Sequence, residues 1–444
     1  MSHAAVFSQR LCALQSPAEL INRLHLLDPL IYLYNQGQAV IGCFPEQYCV
    51  LQPHGMQYFQ ATGLNEYSQS AAQDFSALIQ STTTSAEQKR FTGGVMGFIS
   101  YDHGAAQAIE LQHKSQPSLL LAMCHSYISL EHDAWYFNSS NHHAQAQFDY
   151  LQQLLQQQPQ LEFCLTQACQ ARWSKAEYSH AFTQVQDYIV AGDCYQINLT
   201  QEFVGQAQGR LLASAEKFWQ LTQAPYAGYL RSGDFELLSC SPELFIEFNA
   251  NRNIVTKPIK GTMPRFQDPE QDQASKQQLI NSEKDRAENV MIVDLLRNDL
   301  SVYAEVGSVK TPKLFNIESF KQVHHMVSEV NATLKAEVKP FDVLFSALPG
   351  GSITGAPKIR AMQIIDELEQ QPRGAYCGSM GYFNFDGTGS WNILIRSIQK
   401  YQEQLSLWAG GGITIASEVD AEYQECFDKV EALLNLLNTW HQAD

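Results

Sequence analysis

At 444 residues the chain exceeds the size at which a single hydrophobic core keeps growing, so two domains or one large composite α/β body is expected, and 45% hydrophobic residues supply the core material. A net charge of −17, with no basic run to offset it, repels phosphate backbones and anionic lipid and argues against nucleic-acid and membrane-surface roles. A small anion stays compatible, because a closed site answers to its local charges and to any metal rather than to the total.

The first 20 residues lack the basic-then-apolar build of a signal peptide, and no apolar stretch reaches the roughly 18 residues of a membrane span. Ten scattered cysteines without a Cys-x-x-Cys pair indicate neither a disulfide framework nor a structural zinc site, so the expectation is a reduced, cytoplasmic chain. From Met1 to about Phe163 the pattern reads as β-hairpins and short helices, with Gly93-Gly94-Val95-Met96-Gly97-Phe98 as a Gly-punctuated strand and no catalytic constellation. Phe148, Leu151, Leu154 and Leu155 fall on one helical face within a Gln-rich segment, and a boundary is expected after Pro159.

Trp173 to Ala191 is helical in period and stops at Gly192-Asp193, ahead of the strand-like Cys194-Tyr195-Gln196-Ile197-Asn198-Leu199. Leu244–Phe248 and Ile254–Ile259 flank Asn249-Ala250-Asn251-Arg252-Asn253 as a hairpin, whose register sets Glu243 opposite Ile259, one step from Lys260. A bulge would bring that carboxylate and that amine to one face. Lys257 and Lys260, three apart, would point to opposite faces of a strand. An amine is protonated near neutrality at its reference pKa of about 10.4, so a nucleophilic Lys260 requires burial or a neighbouring positive charge; the peptide alone reads more readily as a surface lysine at a strand end.

Ser282 is placed to cap a helix that runs to about Asp299 and carries Asp285 and Glu288 on one face, a pair that is also ordinary on a solvated helix. Pro349-Gly350-Gly351-Ser352-Ile353-Thr354-Gly355-Ala356-Pro357-Lys358 is a glycine loop feeding a helix. It is not a Walker A loop, and it is either a plain turn or a set of free N–H groups able to hold a carboxylate. Ala375–Phe385 and Ser390–Gln399 read as strands, the second with Arg396 on the face of Leu394, where an arginine needs an anion. Gly410-Gly411-Gly412 inside an apolar strand pattern implies close backbone approach. Glu422 and Glu425 form a second acidic pair at helical spacing, and two such pairs suit an oxygen-liganded Mg²⁺.

Taken together, Ser241-Pro242-Glu243, Pro258-Ile259-Lys260-Gly261-Thr262, Asp285-x-x-Glu288, His324-His325-Met326-Val327-Ser328, Thr354-Gly355-Ala356-Pro357-Lys358, Arg373-Gly374-Ala375-Tyr376-Cys377-Gly378, Ala409-Gly410-Gly411-Gly412 and Glu422-x-x-Glu425 resemble the chorismate-utilising enzyme family, strongly from Trp173 onward. The resemblance implies an α+β, anthranilate-synthase-like fold of two large antiparallel β-sheets packed face to face with helices outside. It implies an N-terminal region over 1–165 and a chorismate-binding catalytic domain over 170–440. It also implies Mg²⁺ as cofactor, with Glu288 and Glu425 as ligands and Asp285 and Glu422 acting directly or through water. Arg396, Tyr376 and the backbone at Gly411 and Gly412 would hold substrate carboxylates, with His325 near the ring, Gln196 and Thr262 also binding substrate, and Thr354 and Lys358 in the glycine loop beside the site.

Two positions point to a branch. Anthranilate-forming relatives have alanine where this chain has Lys260, and relatives that add water at C2 have a lysine base where it has Gln196. The resemblance therefore implies amination of chorismate at C4 to 4-amino-4-deoxychorismate, toward p-aminobenzoate and folate, with Lys260 adding at C2 and Glu243 protonating the departing hydroxyl. Anthranilate formation and a catalytically inactive chorismate sensor are the rival readings. With no Gly-x-Cys-x-Gly motif of its own, the chain is expected to take ammonia from a separate glutaminase subunit as a heterodimer. Ile31-Tyr32-Leu33-Tyr34-Asn35 stands where tryptophan-inhibited relatives have Leu-Leu-Glu-Ser, which argues against that feedback.

Overall fold

In the computed structural model, which describes residues 7–13, 16–79, 90–132, 134–319 and 323–441, alternating apolar residues build two 12-stranded sheets. All the strand pairs named below are antiparallel. In the strand Leu30–Asn35, Ile31 and Leu33 point into the layer between the sheets while Tyr32 points out to the helices, the period-two signature of a strand buried on both faces. The inter-sheet layer is closed by Val40, Met96, Phe98, Leu120, Leu230, Phe235 and Leu237, and the rings of Phe98 and Phe235 stack across it with centroids 5.1 Å apart and planes 26° apart. Helices cover the outer faces: Pro17–Arg23, Ala144–Leu155 and Glu431–Asn438 on the first sheet, Glu283–Ser301 and Pro340–Ala347 on the second.

Strands from both sides of the boundary expected near residue 165 share each sheet. Five strands before it lie in each sheet, and each set joins the later strands at one seam. Leu30–Asn35 pairs with Tyr226–Ser232, Tyr32 opposite Tyr229, and Gly94–Ile99 pairs with Ser379–Asn384, Gly97 opposite Gly381. The strand Phe163–Ala171 runs across the interval between the two expected regions and pairs with the edge of Gln196–Gly209.

Local signals set the ends of the helices. Ser174 and Glu177 form a reciprocal capping box before Lys175–Ala191, and Gly192 ends that helix at φ +84°. Ser282 accepts from the Asp285 N–H and starts Glu283–Ser301, as its position implied. All ten cysteines are free thiols. Among the described residues, no helix is long and apolar enough to cross a membrane.

Candidate active site

The hairpin expected to end at Ile259 is shorter. Phe248 stands opposite Ile254 and Glu247 opposite Val255, the anticipated register, but this strand stops at Thr256. Pro258 cannot donate to a ladder, and the chain restarts at Ile259 as a separate strand, Ile259–Pro264, paired with Val323–Thr333. Lys257 and Lys260 thus share no strand, and Lys257 lies 3.8 Å from Glu329. Between the pairs Ile259↔Val327 and Thr262↔His325 the register slips by one residue, which places a bulge at Lys260-Gly261. Gly261 has φ +85°, and a Cβ there would lie 2.8 Å from Asp285 Cγ, so glycine lets the bulge sit on the first turn of Glu283–Ser301. The Lys260 charge acts on Glu243, Glu288 and Glu425, lowering the proton affinity of each.

Glu243 occupies a crossing between the sheets, after Phe235–Ser241 in the first and before Leu244–Phe248 in the second. The Ser241 hydroxyl donates to Ile393 O at 2.5 Å, and the Ile393 N–H donates to Glu243 O at 3.1 Å. Burial pushes the Glu243 carboxyl up to about 7, against the opposing pull of Lys260, the Ser352 hydroxyl (3.3 Å from Oε1), Lys429 and Arg396.

Arg396 occupies another crossing. The stretch read as one strand over Ser390–Gln399 is two, Gly389–Asn392 in the second sheet and Ser397–Tyr401 in the first, with Arg396 between them at φ +51°. It therefore shares no strand face with Leu394. Its carbonyl accepts from the Cys240 N–H, and its guanidinium makes no ion pair with any described carboxylate. Burial lowers its pKa, partly offset by Cys240 and Glu243. His325, opposite Thr262 and 2.8 Å from its hydroxyl through Nδ1, is pushed down to about 4 by burial and by Arg396, so it is neutral at pH 7. The stretch Ala375–Phe385 likewise contains a shorter strand, Ser379–Asn384, preceded by a turn in which Cys377 has φ +64°. Tyr376, in that turn, stacks on Trp408 with centroids 5.8 Å apart and planes 12° apart.

Gln196 begins the strand Gln196–Gly209, whose partner Gln404–Ile413 carries the three glycines. A Cβ at Gly412 would sit 2.0 Å from Gln196 Nε2, and one at Gly411 would sit 2.9 Å from Glu422 Oε2 and 3.0 Å from Glu425 Oε1. The glycines thus open room for an amide on one face and for two carboxylates on the other. Gln196 is buried and its Oε1 has no partner, so an unused acceptor is held there. Thr354 is buried, its hydroxyl donating to Gly350 O at 3.0 Å. Lys358 opens the helix Lys358–Glu369, and its amine donates to Ala347 O at 2.8 Å and lies 3.6 Å from Asp299.

The two acidic pairs lie on Glu283–Ser301 and Val419–Asp428. Burial raises the Glu288 carboxyl, with Lys260 and Lys284 opposing. Glu425 is also pushed up by burial, but Lys429, 2.6 Å away, together with Lys284 and Lys260, leaves it lowered overall. Glu422 accepts from the Ser417 hydroxyl at 2.7 Å and lies 3.7 Å from Lys284. Among the described residues no three acidic, histidine or cysteine side chains converge as a metal cage. Glu422 and Glu425 set hard carboxylate oxygens beside the opening at Gly411, the donor type that Mg²⁺ takes. Sequence reasoning missed Lys284 and Lys429; the spacing of Lys429, four residues after Glu425, could have revealed that one. Ser352, which donates to Glu243, stands in the glycine loop with no local sequence signal for that contact.

A buried acid, a lysine on a bulge, a buried arginine and two acidic helix faces lie within one another's electrostatic reach, the make-up of a candidate site for a small carboxylate. The chain belongs to the chorismate binding enzyme family, whose model matches residues 31–435. It is 44% identical over 358 residues, covering 78% of this chain and 77% of the relative, to "Aminodeoxychorismate synthase component 1" of Salmonella typhimurium (strain LT2). To the protein of the same name in Escherichia coli (strain K12) it is 42% identical over 359 residues, 80% and 79% of the two chains. Anthranilate synthase component I from Streptococcus pneumoniae TIGR4 has the same fold, with a TM-score of 0.76 at 24% identity over 89% of this chain and 92% of that one.

Proposed function

We propose that the chain aminates chorismate at C4, yielding 4-amino-4-deoxychorismate, as the synthase component of a pair whose other member is a glutaminase. The observation that carries this reading is Glu243, a buried carboxyl brought to about 7 within the field of Lys260. Such a group is half protonated at pH 7 and suited to giving a proton to a leaving hydroxyl, help worth about 10²- to 10⁴-fold. The names of the relatives support the same reaction.

Arg396, Tyr376 and the backbone at Gly411 and Gly412 bind and orient the substrate carboxylates, and neutral His325 and Thr262 border the ring. Mg²⁺, held by Glu288 and Glu425 with Asp285 and Glu422 beside them, would supply positive charge to a substrate carboxylate. The Lys260 amine adds at C2 while the C4–O bond breaks and Glu243 protonates the departing oxygen, releasing water. Ammonia then bonds to C4 and expels the Lys260 amine from C2, and the proton it sheds restores Glu243. Gln196 cannot deprotonate water, which leaves C2 hydroxylation without a base.

Incubating the chain with chorismate, MgCl₂ and an ammonium salt tests this. Mass spectrometry should detect the hydroxyl replaced by an amine with no pyruvate released. Fluorescent anthranilate with pyruvate would overturn the C4 assignment, and chorismate bound but never consumed would make the chain a sensor. With glutamine in place of ammonium, product should form only when a glutaminase subunit is added.

A further inference from the structure

We infer that Arg373 is the positioning residue of the substrate site, fixing the strand of Gln196, the loop of Thr354 and the ring of Tyr376 relative to one another. This rests on the function proposed above. Its guanidinium is buried and nearly every donor is taken: Nε donates to Glu369 Oε2 at 2.8 Å, Nη2 to Glu369 Oε1 at 2.6 Å and Asn198 O at 2.7 Å, and Nη1 to Ile353 O at 3.0 Å. Asn198 lies two residues after Gln196 in its strand, and Ile353 immediately precedes Thr354. Asn198 reinforces the junction, its N–H donating to Thr354 O at 2.7 Å and its amide to Ile353 O at 3.1 Å.

The third segment is held through the guanidinium face. Arg373 lies 4.8 Å from the ring of Tyr101 and 5.8 Å from that of Tyr376, while Tyr376 stacks on Trp408 and Lys114 stands 5.5 Å over Trp408. Tyr376 thus touches both the arginine and the indole of Trp408, and its ring is restricted by the two. Glu369 is tied in turn: its Oε1 accepts from the Thr200 N–H at 2.9 Å and hydroxyl at 2.7 Å, on the same strand as Gln196. A buried ion pair is a weak source of stability compared with apolar packing. A planar fork that reaches two carbonyls from different segments, a carboxylate and a ring sets relative positions that apolar packing does not specify.

The test compares wild type with Arg373→Lys, which keeps the charge and loses the fork. Calorimetric titration with chorismate, Mg²⁺ present and ammonia absent, gives Kd and the bound fraction, and ammonium-dependent turnover gives KM and kcat. The expected result is chorismate binding weakened by about tenfold or more at full stoichiometry, with the KM for ammonium unchanged. Unchanged Kd, with any loss of kcat matched by a fall in stoichiometry, would show a purely structural role and overturn the inference. Should Arg373→Lys fail to fold, Thr200→Val keeps the charge pair and deletes one hydroxyl bond to Glu369; weaker chorismate binding supports the inference and unchanged binding overturns it. If wild type binds chorismate but transfers no nitrogen, the proposed function fails while the calorimetric comparison still decides the role of Arg373.

Discussion

Burial keeps a proton on Glu243 far above the usual carboxylate range, and this has consequences for both rate and stability. Because its carboxyl rises from 4.5 to about 7, the folded chain binds a proton there more tightly than the unfolded chain does, so stability falls as pH rises through that window. Above it, the buried carboxylate costs about 3 kcal/mol at roughly 1.4 kcal/mol per pH unit. Glu243→Gln should therefore melt higher than wild type at pH 8, with the gap closing toward pH 5, and its amination rate should fall about 10²-fold or more. Parallel melting at both pH values would mean that the carboxylate is not confined as described. The wild-type rate should also decline above pH 7 as the acid is lost. For Lys260→Ala the expected outcome is amination abolished or sharply reduced with chorismate Kd near wild type; turnover at the wild-type rate would remove the covalent role.

Sequence reading succeeded for elements whose ends are set locally and failed where the chain changes sheets. The helix from Ser282 and the capped helix before Gly192 follow from side chains a few residues away. The acidic pairs were legible as helical spacing, and the glycines of Gln404–Ile413 as a demand for close approach. The strand patterns around Arg396 and Lys260 hid a crossing and a restart, because apolar periodicity does not record which sheet a strand joins. Pro258 was the available signal for the restart. The lysines that hold the acidic pairs yield a test at this scale. Glu425→Gln removes one carboxylate from the opening at Gly411 and leaves Lys429 without its 2.6 Å partner. The Mg²⁺ concentration giving half-maximal turnover should rise about tenfold, the direction expected when a hard oxygen donor loses its charge. An unchanged metal titration excludes Glu425 as a ligand.

Across the whole molecule, the site depends on how the two sheets face one another. Glu243 and Arg396 each sit where the chain passes from one sheet to the other, so the inter-sheet layer fixes the distance between acid and arginine. Phe235 is fully buried in that layer, stacked on Phe98, and lies in the strand that leads to Glu243. Phe235→Ala removes a large ring from a close-packed layer and should cost about 3–5 kcal/mol. Because each sheet combines strands from before and after residue 165, loss of chorismate binding and loss of tryptophan fluorescence should coincide in one urea transition for wild type and variant alike. Two separated transitions, with chorismate binding surviving the first, would show that the later region holds the site by itself, and the shared sheets would then not be what aligns Glu243 with Arg396.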